Sequence, residues 1–88
     1  MDIREKLTQE YDEELLFADG FDEAIIGVCS RFGQEDIVAY DYEKCIDILI
    51  KRDGMDDEEA VEFLEYNTLG SYVGEKTPCF LHIVKEEQ

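Results

Sequence analysis

His82 is the single histidine of the chain, and it follows Cys79 by three positions. A nucleophile served by a histidine base would have to combine His82 with Cys29, Cys45, Ser30, Ser71 or Thr77, and no spacing joins them. As zinc ligands, Cys79 and His82 lack a second Cys or His pair, and on a strand a separation of three points the two side chains to opposite faces. Tyr40-Asp41-Tyr42-Glu43-Lys44 places a tyrosine and a lysine at a spacing that serves proton transfer in some dehydrogenases. The chain has only 88 residues and no GxGxxG, so it holds no dinucleotide fold to use them. Asp53-Gly54-Met55-Asp56-Asp57-Glu58 resembles the start of a calcium loop, but its glycine is not at the sixth position that an EF-hand requires. Carboxylates are so abundant that no one pair stands out as a general acid and base. The reading is therefore of a protein that is not an enzyme, with no catalytic residue, cofactor or metal assigned.

Charge carries the stronger signal. The chain holds 24 acidic and 8 basic residues, a formal net charge of −16, which argues against direct contact with a nucleic-acid backbone. Two blocks, residues 10–23 and 53–65, are each acidic without one basic residue. In the second block Glu58, Glu62 and Glu65 recur at i, i+4 and i+7, a stripe that rises about 6 Å per step on a helix, comparable to neighbouring phosphates. Like charges at that spacing disfavour a helix by a few tenths of a kcal/mol per pair. One reading of the stripe is a solvated helix face. The other is a carboxylate array, extended by Asp56, Asp57 and Glu59, that imitates a phosphate backbone and occupies a basic groove of another protein. Phe63 and Tyr66 would then be the contacts beside it that confer specificity.

The elements that would position these groups follow from periodicity. Ile3, Leu7 and Tyr11 give a thin apolar stripe to a short N-terminal helix within residues 2–14. Asp19-Gly20 marks a turn. The β-branched and aromatic runs on either side of Gly33-Gln34-Glu35 predict a β-hairpin over 24–40, with a helix over 22–31 as the rival. Asp41 fits an N-cap, Tyr42, Cys45, Ile46 and Leu49 fall at i, i+3, i+4 and i+7, and Gly54 fits the helix end. Asp56 caps a second helix that turns Ala60, Val61 and Leu64 inward, so an αα-hairpin spans 42–66. Thr77-Pro78 introduces a last strand over 79–84 that could pair with the hairpin, and 85–88 form a solvated tail. The expected fold is a small single α+β domain over 1–88. Its expected core is Ile25, Val28, Ile37, Val38, Ile46, Leu49, Val61, Leu64, Phe80 and Ile83.

Five Phe, five Tyr and 44% hydrophobic residues argue against disorder. No apolar run approaches the roughly 20 residues of a membrane span, and the first residues lack the basic and apolar pattern of a secretory leader. Three cysteines without a CxxC pair fit reduced thiols buried in a core, hence a cytoplasmic protein.

Phe21-Asp22-Glu23-Ala24-Ile25-Ile26-Gly27-Val28, Arg31-Phe32-Gly33-Gln34, Tyr40-Asp41-Tyr42-Glu43-Lys44 and Asp53-Gly54-Met55 together resemble a family of small proteins encoded by bacteriophages. The pattern continues through Glu58-Glu59-Ala60, Asn67, Gly70, Tyr72, Gly74 and Thr77-Pro78, and covers residues 21–81. The resemblance implies a viral gene product working in the host cytosol, and it brings no activity or ligand with it. In that setting the charge pattern points to an inhibitor or binding module. Its expected partner is a basic host protein that handles nucleic acid or defends the cell. A phage accessory or structural-interaction protein and a small-ligand sequestering protein are the alternatives, and exposed aromatic residues near Tyr66, Tyr72 or Phe80 could as easily build a homodimer as a heterocomplex.

Overall fold

The computed structural model describes residues 2–11, 14–69 and 74–84. Expectations placed on Gly70, Ser71, Tyr72 and the 85–88 tail lie outside them. Among the described residues, helix α1 (Ile3–Glu10) is followed by a 3-10 turn (Asp22–Ala24) and strands β1 (Ile25–Cys29) and β2 (Ile37–Asp41). Helices α2 (Tyr42–Asp53) and α3 (Asp57–Leu64) come next, then a π-helical turn (Glu65–Leu69) and strand β3 (Cys79–Leu81). This is the α+β arrangement expected.

Each helix begins on an aspartate that the sequence places there. Asp2 accepts the Glu5 N–H at 2.9 Å, Asp41 the Lys44 N–H at 3.2 Å, and Asp56 the Glu59 N–H at 2.9 Å. Such caps supply acceptors for N–H groups that have no partner inside the first turn. Helix α2 ends where Gly54 takes φ 71°, a left-handed conformation open to glycine, and its N–H reaches the Ile50 carbonyl at 3.1 Å. Asp53 thus ends α2 and Asp56 caps α3, with only Gly54 and Met55 between them.

The three strands form one sheet in the order β1-β2-β3. β1 and β2 are antiparallel, with Val28 opposite Val38 and Cys29 opposite Ile37, and the register shifts between Ile25 and Gly27. β3 runs parallel to β2, pairing Tyr40 with Phe80. A parallel pair needs a long crossover, and α2 and α3 lie within that connection. The sheet face bearing Val38 and Tyr40 joins Tyr42, Cys45, Leu49, Ala60 and Leu64 in the core. Leu7 of α1, Leu15, Phe21 and Ala24 complete the cluster.

Several expectations need correction. Of residues 22–31 only the 3-10 turn is helical, so the hairpin stands, but it starts at Ile25 and not at Ala24. Val61 is 39% exposed, because α3 buries Ala60 and Leu64 along one line and a residue one step from Ala60 turns to the flank. Ile83 is 43% exposed, because β3 stops at Leu81, opposite Asp41 where β2 ends and α2 begins. Ile25, Val28, Ile46 and Phe80 are half-buried against the core, and Ile37 is buried outside the main cluster. Of the cysteines only Cys45 is fully buried, whereas Cys29 and Cys79 are half-buried. Helix α1 ends at Glu10, and Tyr11 is exposed beyond it.

Candidate functional site

The α3 carboxylates differ in what they bond to within the chain. Asp56 receives the Glu59 N–H, and Glu59 in turn receives the Asp56 N–H at 3.2 Å, so both are engaged in starting the helix. Glu65 accepts a hydrogen bond from the Tyr42 hydroxyl at 3.0 Å, which draws it toward the first turn of α2. Burial, and then this carboxylate, push the Tyr42 phenol pKa up. The Tyr42 ring also stacks on His82, with centroids 4.0 Å apart. Asp57, Glu58 and Glu62 are exposed. The stripe expected at Glu58, Glu62 and Glu65 is exposed along its length, and Glu65 is in addition bonded to Tyr42.

Phe63 is 38% exposed and lines a groove of about 490 Å³. The groove runs between the end of α3, the segment from Leu16 to Phe21, and the approach to β3 at Thr77, Pro78 and Phe80. Tyr66, expected beside Phe63, does not line it and stands 81% exposed. Of the eight residues expected to bind a partner, the structure brings Asp57, Glu58, Glu62 and Phe63 onto or beside one exposed helix face. Asp56, Glu59 and Glu65 are exposed as well and in addition hold structural bonds.

Two arginines hold the far wall of the groove, and their contribution was not read from the sequence. Arg4 of α1 donates from Nε to both Asp22 oxygens, at 2.8 and 3.0 Å, and from Nη2 to Asp19 at 3.3 Å. Its guanidinium carbon lies 5.0 Å from the centre of the Phe17 ring. Arg52 at the end of α2 donates to the Gly20 carbonyl at 2.7 Å and lies 5.7 Å from the centre of the Phe21 ring. Between them the Ala18 N–H donates to the Tyr40 hydroxyl at 2.8 Å, and Tyr40 stacks on Phe80 with centroids 5.2 Å apart. A loop that reads as acidic is fixed from three directions. The available signal was the scarcity of cations, since each arginine in so acidic a chain has many carboxylates to choose from.

A second cleft, lined by Gly20, Asp22, Glu23, Lys44, Asp47, Ile48, Lys51 and Arg52, mixes both signs. Lys51 pairs there with Asp47 at 3.1 Å. Tyr40 is wholly buried while Lys44 is exposed on α2, and no three His, Cys, Asp or Glu among the described residues are placed to hold a metal. Among the described residues no helix is long and apolar enough to cross a membrane. Compared with protein-family models, curated proteins and solved structures, the chain matches none of them.

Proposed function

We propose that this protein acts by occupancy, as a binding module that covers a Lys/Arg-lined surface of another protein. The observation that carries the reading is the outer face of α3, where Asp57, Glu58 and Glu62 stand exposed beside the half-exposed Phe63. Acidic charge of this density speeds encounter with a basic surface, and an adjoining aromatic supplies the desolvated contact on which affinity depends. A surface complementary to such a face is one built for a phosphate backbone. The partner in this reading is a nucleic-acid-handling or defence protein of a bacterial host, inhibited in its cytosol by a phage gene product.

Affinity capture from bacterial lysate tests it. The reading expects a basic protein that is released by salt and displaced by duplex DNA. Replacing Glu58 and Glu62 together by Gln should weaken binding by about 1 kcal/mol or more per contacting carboxylate, with the fold intact. Retention of the captured protein at full strength by the double variant, or indifference of the complex to DNA, would show that α3 is only a solvated face. A second reading, small-ligand sequestration, draws on the size of the groove, which lies in the range of ligand pockets. Native mass spectrometry of the purified protein would reveal a retained molecule.

A further inference from the structure

The groove beside α3 is apolar in its walls and acidic at its mouth. Phe17, Phe21, Phe63, Phe80, Leu16 and Pro78 supply the walls, and among the described residues no lysine or arginine lines it. Phe17 lies against Arg4 and Phe80 against Tyr40, so two of the rings are held in place before any ligand arrives. Leu16 and Phe63 remain 37% and 38% exposed. They are apolar surface left to water on two of the stretches that line the groove.

Charge decides the occupant. Asp19, the one charged residue of the lining, has an almost fully exposed side chain. Glu59 and Glu62 precede Phe63 by four and one positions on α3, and both are exposed residues. The cations next to the lining are already engaged: Arg4 by Asp19 and Asp22, Arg52 by Asp53, and Lys76 by Glu35. An anionic ligand would be repelled from such a mouth, and a neutral one would gain nothing from it. An apolar group flanked by cations satisfies the walls and the mouth together. Among protein segments, a basic amphipathic helix has that chemistry: it lays apolar anchors spaced i and i+4 into a groove and keeps its lysines and arginines at the rim.

We propose that the groove is the anchor pocket for the partner, taking neighbouring apolar side chains of a lysine- or arginine-rich amphipathic helix whose cations meet Asp19 on one side and Glu59 and Glu62 on the other. The inference rests on the occupancy reading and adds the partner's local chemistry to it. It is tested on the full chain with a fluorescent peptide of roughly 18 residues, Leu and Lys at helical spacing. The comparisons are a peptide with Ser in place of every Leu, one with Gln in place of every Lys, and 4-phenylbutylamine, an aromatic amine small enough to enter alone.

The expected result is that the Leu/Lys peptide binds most tightly and that Phe63→Ser and Leu16→Ser each weaken it by about tenfold. Binding of the Ser/Lys peptide should be the same in all variants. Both side chains are partly exposed, and unchanged thermal unfolding will show that the fold is kept. Salt-sensitive binding that ignores the leucines and both substitutions would overturn the groove inference and leave the occupancy reading standing. Failure of every lysine peptide to bind would overturn both. Displacement of the Leu/Lys peptide by 4-phenylbutylamine at comparable affinity would assign the groove to a small amine and overturn the helix as its occupant.

Discussion

At Cys45 the side chain is wholly buried between α2 and the sheet, and burial, followed by the nearby Asp41 carboxylate, pushes its thiol up to about 12. The Tyr40 phenol is raised by burial as well. These groups hold their protons more tightly folded than unfolded, so the unfolded chain releases protons first as pH rises. Stability is therefore fully present below about pH 9, the ordinary thiol range, and falls from there toward pH 12. Urea midpoints should hold between pH 8 and about pH 9 and decline from there to pH 11, and Cys45→Ala should flatten the decline while costing about 1 kcal/mol at neutral pH. Alkylation followed by mass spectrometry should modify Cys29 and Cys79 before Cys45. At Tyr40 the hydroxyl serves as acceptor for the Ala18 N–H, so Tyr40→Phe leaves that donor without its partner. The expected loss is about 1–2 kcal/mol, read by chemical denaturation, with faster amide exchange at Ala18.

Among the elements, α3 depends most on its first turn. It is only eight residues long, carries three acids in that turn and has no basic residue in its last. The acids favour the positive end of the helix dipole, and the reciprocal bonds of Asp56 and Glu59 close two open donors. Asp56→Ala should cost about 1 kcal/mol and lower the helical circular dichroism signal, whereas Glu58→Gln should leave stability unchanged or slightly raised. The groove wall at 16–21 has no secondary structure of its own beyond a turn, and the arginines brought to it by α1 and α2 substitute for one. Pairs this exposed contribute little to global stability. Arg4→Ala is thus expected to change the unfolding midpoint by less than about 1 kcal/mol while raising hydrogen exchange at 17–22, a local loosening rather than a global one.

For the molecule as a whole, self-repulsion is the governing term. A net charge of −16 on 88 residues opposes the compact state, and added salt screens it over a distance of about 10 Å at 0.1 M. The thermal midpoint should rise with sodium chloride between 20 and 500 mM, while association with the proposed basic partner should weaken over the same range. The opposite responses have one cause, since the charge that repels within the chain is the charge that attracts a cationic surface. A stability that falls with salt would mean that the five ion pairs described, including Lys76 with Glu35, outweigh the repulsion.

Local signals in the sequence determined the α+β class, the hairpin, the paired helices and their aspartate caps. Each depends on neighbours a few positions apart: the 3.6-residue spacing of Tyr42, Cys45 and Leu49, the acceptor at Asp41 or Asp56, the positive φ open to Gly54. The acidic character of α3 was legible for the same reason. What those signals lack is any information about residues far apart in the chain. Phe21 and Leu15 join the core because Arg52, Arg4 and Tyr40 hold the segment against it through bonds that span 15 to 32 positions. Glu65 of the carboxylate stripe accepts a bond from Tyr42, and β3 ends at Leu81 because its partner strand ends there. The groove itself has walls from three separated stretches, 16–21, 63–67 and 77–80. Periodicity reports which way a side chain leaves its own helix or strand; only the tertiary structure decides what it meets.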